Sequence, residues 1–136
     1  VTAEAPTPIA APEAEQRWLL VSASGSGYSF ELESVREVVP VRPCTPIPGA
    51  PAYVRGLLNL RGRVLTVVDL AALLGLSPTT SPTQRVIVLH HDGRDVGIVV
   101  EEVHRIASIL EEDGRVFEAI DSAALLGPIF ESPEDR

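Results

Sequence analysis

One pattern occurs twice in this chain. Arg61-Gly62-Arg63-Val64 leads through Val68-Asp69 to Ala71-Ala72-Leu73-Leu74-Gly75, and Asp113-Gly114-Arg115-Val116 leads through Ile120-Asp121 to Ala123-Ala124-Leu125-Leu126-Gly127. Gly62 and Gly114, Asp69 and Asp121, and Gly75 and Gly127 are each 52 positions apart. Each copy describes a tight turn, a strand, an aspartate, one helical turn and a glycine. Two such units in one short chain predict two similar β subdomains with a cleft between them where a ligand or partner docks. The copies differ at the turn, where the first carries Arg61 and the second Asp113.

The chain has 136 residues, which fits one domain and is long enough to bury a core without disulfides. Aromatics make up only 4% of it, so Val, Ile, Leu and Ala must fill that core. A single cysteine, Cys44, excludes an intramolecular disulfide and suits a reducing compartment. No apolar run approaches the roughly 18 residues of a membrane span, and no basic-then-apolar leader pattern opens the chain. The expectation is a cytoplasmic protein without direct membrane insertion. Of the net charge of −8, three glutamates before residue 16 supply −3 and the residues from Glu131 onward supply −2, leaving −3 for the body. Such a body lacks the basic field that phosphate backbones require, which argues against nucleic acid. There is no lysine, so the chain presents guanidinium forks and no amine for Schiff-base chemistry.

Residues 1–16 are rich in Pro, Ala and Glu and are expected to be disordered. A single domain is expected over 17–131, followed by an acidic tail, 132–136. Trp18 to Val21 suggests a first strand, Ser24 to Gly27 a turn, and Tyr28-Ser29-Phe30-Glu31-Leu32 alternates with Tyr28, Phe30 and Leu32 inward. Glu33 to Val41 fits a short helical turn or a third strand, and Pro43 to Pro51 a loop. Val54–Leu60 and Val64–Val68 predict a hairpin turning at Arg61-Gly62. Asp69 is placed to cap the turn Leu70–Leu74 and Gly75 to end it. Residues 76–84, with Pro78 and Pro82, suggest a hinge between halves. Val86–Leu89 and Val96–Val100 predict a hairpin about Asp92-Gly93, and His104–Leu110 with Val116–Ile120 another about Asp113-Gly114. Gly127-Pro128 is a helix-stop pair. The fold class is therefore all-β. Both faces of Val64–Val68 are apolar, so this strand needs cover on its outer side as well.

Chemistry is sparse. His90-His91-Asp92 and Asp95 straddle a turn and have no Cys or His cluster elsewhere to complete a metal site. Cys44 lies among prolines with no placed base or oxyanion hole. Glu101-Glu102 and Glu111-Glu112 are adjacent, so on a strand their carboxylates face apart. Ser24-Gly25-Ser26-Gly27 lacks the lysine and following helix of a phosphate loop. No cofactor is implied and no catalytic constellation emerges. Arg55, Arg61 and Arg63 form a local basic patch in an acidic chain, and a turn-tip Arg61 is placed to meet a partner carboxylate.

The segment Ala50-Pro51-Ala52-Tyr53-Val54-Arg55-Gly56-Leu57-Leu58-Asn59-Leu60-Arg61-Gly62-Arg63-Val64-Leu65-Thr66-Val67-Val68-Asp69-Leu70 resembles the signature of CheW-like domains, coupling proteins of bacterial chemosensory arrays. The likeness runs from about Arg17 through Ile109 and includes Tyr28-Ser29-Phe30, Val35-Arg36-Glu37-Val38 and Val96-Gly97-Ile98-Val99-Val100-Glu101-Glu102-Val103. The resemblance implies two small SH3-like β-barrel subdomains with a groove between them and an adaptor without enzymatic activity. It implies three partners: the helical cytoplasmic tip of a chemoreceptor, the regulatory domain of a CheA-type histidine kinase, and other CheW-like domains. Carried over by position, Val35, Arg55, Gly56, Arg61 and Val86 are candidates for the partner-binding surface.

The departure from the family lies in the second half. Typical members carry a further segment between the residues like Ile109-Leu110-Glu111-Glu112 and the last strand, with a counterpart of Tyr53-Val54-Arg55-Gly56. Here Asp113-Gly114 closes the gap, so one subdomain is shortened by about a strand and a loop, leaving an edge open or one that a partner covers. Full coupling needs surfaces on both subdomains, so the expectation is an adaptor that keeps one partner, the receptor, and has lost or altered another. Two other readings stand beside it: the resemblance also suits a CheW-like portion of a larger kinase or CheW–receiver protein, and the residues a small β-barrel metal-dependent enzyme.

Overall fold

The structure, a computed structural model, describes residues 16–112 and 114–130. The acidic tail, Asp113 and all but the last residue of the head lie outside the described residues. Among the described residues ten strands form: β1 (Trp18–Ala23), β2 (Ser26–Glu31), β3 (Val35–Pro40), β4 (Val54–Leu60), β5 (Arg63–Asp69), β6 (Arg85–His91), β7 (Arg94–Val100), β8 (Glu102–Ala107), β9 (Glu111–Glu112) and β10 (Arg115–Ala119). The same residues include the helices α1 (Leu70–Leu73) and α2 (Ser122–Phe130). The segment after β2, for which both a helical turn and a strand were compatible, contains both: a 3₁₀ turn at Leu32–Ser34, then β3.

Tight turns set the hairpins. Ser24-Gly25, Arg61-Gly62 and Asp92-Gly93 all adopt positive φ, between 51° and 83°. That is the conformation whose twist matches the flanking strands, and glycine at the second position takes it without Cβ strain. At the end of β5, Asp69 Oδ1 accepts the Ala72 N–H at 3.1 Å and so caps α1. Gly75, at φ 83°, ends it, and the Leu76 N–H returns to the Ala71 carbonyl.

The strands form two five-stranded sheets, β8-β1-β2-β10-β9 and β3-β6-β7-β5-β4, the two-subdomain all-β architecture expected. The sheets have the same plan. A hairpin (β1–β2 or β6–β7) lies at the centre, flanked on one side by an antiparallel strand (β8 or β3) and on the other by a parallel strand (β10 or β5) that brings its own hairpin partner (β9 or β4). Even the register agrees: Thr66 lies opposite Val96 and Val67 opposite Gly97, as Glu118 lies opposite Tyr28 and Ala119 opposite Ser29. After each central hairpin the chain crosses to the other sheet, at 32–34 and at 101. The stretch 76–84, expected as a hinge between halves, instead joins α1 to β6, both belonging with the second sheet.

Two cores result. One fills the space between the sheets, with Leu19, Val21, Phe30, Ile120 and Leu126 from the first against Val68, Leu70, Ile87, Leu89 and Ile98 from the second. The other lies within the second sheet: Val39, Leu58, Leu60, Leu65, Val67, Val86, Val88 and Val99. β5 serves both, since Val67 enters one core and Val68 the other, which accounts for its two apolar faces; only Val64, 62% exposed, escapes cover.

Two local expectations are corrected. β10 pairs with the short β9, and of the expected His104–Leu110 strand only the Leu110 carbonyl meets it, because His104–Ala107 are taken up in β8 as the neighbour of β1. Helix α2 runs through Gly127-Pro128 to Phe130, since Gly127 does not adopt the left-handed conformation that would stop it.

Candidate functional site

Arg61 sits at the tip of the β4–β5 hairpin, 65% exposed, with φ 53°. The turn is held by the Gly62 N–H donating to Asn59 Oδ1 at 3.0 Å. The guanidinium of Arg61 ion-pairs with Glu37 of β3, the strand at the opposite edge of the same sheet. That contact brings the two edges together at this end, although the backbone ladders leave the sheet open between β3 and β4.

On the same sheet, Asp95 of β7 gathers three side chains from three strands. Arg36 of β3 donates to it at 3.1 Å, His90 of β6 lies at 2.6 Å, and Arg63 of β5 pairs with it. The Asp95 side chain is 3% exposed while Arg36 and Arg63 keep about half their surface in water. The rim therefore presents three guanidiniums against two carboxylates, pre-positioned on strands rather than on free loops. Chemically, such an array can accept further acidic groups, because each fork retains donors beyond its internal partner. Val38 and Val64, 39% and 62% exposed, add apolar surface on the same strands.

The other candidates take different places. Arg55 points inward. Its Nη2 donates to Asp69 Oδ2 at 2.8 Å, to the Thr79 carbonyl at 2.6 Å and to Gln84 Oε1 at 3.3 Å, tying the 77–84 segment to the hairpin. Asp69, 2% exposed, also accepts the Thr79 N–H at 2.9 Å. Gly56 is buried at φ 138° with the Thr45 carbonyl against it. Val35 is half-buried at the start of β3 and packs on the core between the sheets. Val86, expected on the partner surface, is 1% exposed inside the second sheet. A β-strand residue facing a filled core meets no partner, so its role is packing.

Sequence reasoning missed Glu37 as the partner of Arg61, and Arg36, Arg63 and His90 as the partners of Asp95. A signal was present for one pair: a two-residue turn at Asp92-Gly93 places His90 opposite Asp95, as observed. The contributions of β3 came from strand order, which the residues do not announce.

Residues 17–127 match the CheW-like domain family. The chain is 41% identical over 88 residues to the chemotaxis protein CheW of Rhizobium meliloti (strain 1021), covering 63% of this chain and 56% of that protein. It is 36% identical over 95 residues to the protein PilI of Pseudomonas aeruginosa, covering 67% and 53%. It thus spans little more than half the length of the curated relatives it matches. The crystal structure of the scaffolding protein TtCheW from Thermoanaerobacter tengcongensis superimposes with a TM-score of 0.71 at 22% identity, covering 79% of this chain and 89% of that one, which shows the fold. This chain belongs to the CheW-like domain family.

Proposed function

We propose that this chain is a non-enzymatic adaptor of a bacterial chemosensory system, acting in the cytoplasm. It docks on the cytoplasmic tip of a chemoreceptor through the Arg61 end of its second sheet. The supporting observation is the position of Arg61: it projects from the tip of the signature hairpin, 65% exposed, within a rim of strand-borne guanidiniums and exposed valines. A helix that docks side-on presents an apolar face rimmed by polar side chains, and acidic ones among these would complement such a rim. Val35, half-buried between the sheets, borders this surface rather than leading it.

In this reading the contact with a CheA-type kinase regulatory domain, or with other CheW-like domains, is lost or altered. The support is the asymmetry of the sheets, in which β9 has 2 residues where β4 has 7. Pull-down of the chain against a receptor tip and a kinase regulatory domain in parallel tests both parts. Binding to the receptor tip alone is the expected result. Equal, strong binding to both rejects the altered surface, and no receptor binding rejects the adaptor reading.

A further inference from the structure

We propose that the open side of β10 is a slot for an extended, arginine-bearing strand of a partner protein, which takes the place that Tyr53–Leu57 hold beside β5 in the second sheet. The two sheets share strand order and register, so each is a template for the other. In the second, β4 runs along β5 over Val54–Leu60, and the Tyr53 carbonyl accepts the Asp69 N–H at 2.8 Å. In the first, β9 pairs only Glu111 with Val116 and Glu112 with Arg115, and the Leu110 carbonyl accepts the Phe117 N–H. Amides alternate sides along a strand. The Ile120 N–H turns to Ser29 on β2, so the Ala119 N–H turns the other way, to the side β9 does not reach.

Exposure agrees. Where β4 covers β5, Val67 and Asp69 are 0% and 2% exposed; the equivalent Ala119 and Asp121 are both exposed. A cleft of about 310 Å³ occupies this position, lined by Glu118, Ala119, Ile120, Asp121, Ala124 and Leu125.

Charge defines the occupant. Asp69 caps α1 through Oδ1 and receives Arg55 of β4 on Oδ2. Asp121 caps α2 in the same way, its Oδ1 accepting the Ala123 and Ala124 N–H groups at 3.0 and 3.3 Å. With Glu118 beside it, the slot is acidic, and an arginine at the register of Arg55 meets Asp121. An extended partner segment supplies main-chain hydrogen bonds to the edge, and its arginine supplies selectivity.

The probe is a fluorescent peptide reproducing residues 51–57 of this chain, the part of the β4 segment whose place β9 does not fill, titrated into the 136-residue chain and followed by anisotropy. Saturable binding is expected. Replacing the peptide's arginine by alanine, or Asp121→Asn in the protein, weakens it about tenfold or more. Asparagine preserves the helix cap, so the loss reports the charge. Ala119→Pro abolishes binding while leaving the β2 ladder intact, because the lost N–H faces the open side; if that variant fails to fold, Asp121→Asn decides alone. Absence of saturable binding, or binding indifferent to Asp121→Asn, overturns the proposal. So does self-association of the protein that Ala119→Pro removes, which assigns the slot to a second copy. The slot lies on the first sheet, away from Arg61, so this test and the receptor test succeed or fail separately.

Discussion

Arg61 and Glu37 pair across the two edges of one sheet, the arginine from the β4–β5 turn and the glutamate from β3. Both remain solvent-accessible, at 65% and 29%. An ion pair so placed contributes at most about 1 kcal/mol, less at high salt. Arg61→Ala is therefore expected to shift the urea midpoint only slightly while reducing capture by a receptor tip at least several-fold. A fall in stability of several kcal/mol, measured by equilibrium unfolding, would make the residue structural instead.

Arg55→Ala should behave in the opposite way. Arg55 is 26% exposed and its partner Asp69 is 2% exposed, so truncation leaves a buried carboxylate without its cation and releases the carbonyl of Thr79. The expected loss is about 2–3 kcal/mol, below that of a fully buried pair because Arg55 is partly in water. Urea denaturation checks the loss. Heightened proteolysis in the 77–84 segment, read by mass spectrometry, checks that this segment is what the arginine holds.

Gly56→Ala is expected to fail at folding rather than at binding. A Cβ there runs into the Thr45 carbonyl, and φ 138° is strained for any L side chain. Melting should drop by many degrees, with little soluble protein recovered. A Gly56→Ala chain that melts normally and loses only receptor binding would place this glycine in the interface.

Cys44, the only thiol, tests the inside of the second sheet. Burial pushes its pKa up, and the positive charge of Arg55 opposes this only in part. The folded state thus favours the neutral thiol. Its contribution to stability is intact below the thiol's ordinary range and declines as pH rises through that range towards the folded-state value. Alkylation by iodoacetamide near neutral pH should be slower in the native chain than in urea. Equal rates would show that the loop from Pro43 opens freely.

The doubled unit was legible because it is local. Turn, strand, cap and helix depend on residues a few positions apart, and the 52-residue spacing of Asp69 and Asp121 is matched by their equivalent caps. The rest of the repeat escaped notice because it is wrapped around in chain order, with β6–β7 matching β1–β2 and β3 matching β8. Val38 and Ile106 occupy equivalent positions opposite Ile87 and Leu19, and are 39% and 47% exposed, yet nothing in their flanking residues aligns them.

The sequence by itself determined the all-β class, the three tight turns, the Asp69 cap and the arginine at the hairpin tip, because backbone conformation and capping are set by short-range sterics and hydrogen bonds. Tertiary structure decided which of the motif residues face outward. Arg55, Gly56, Arg61 and Val86 look alike as motif positions, but side-chain direction is useful only once the neighbouring strands are known. The order β3-β6-β7-β5-β4 buries Val86, turns Arg55 onto Asp69 and lifts Arg61 across to Glu37. Strand order arises from long-range burial of apolar faces, and no local pattern encodes it.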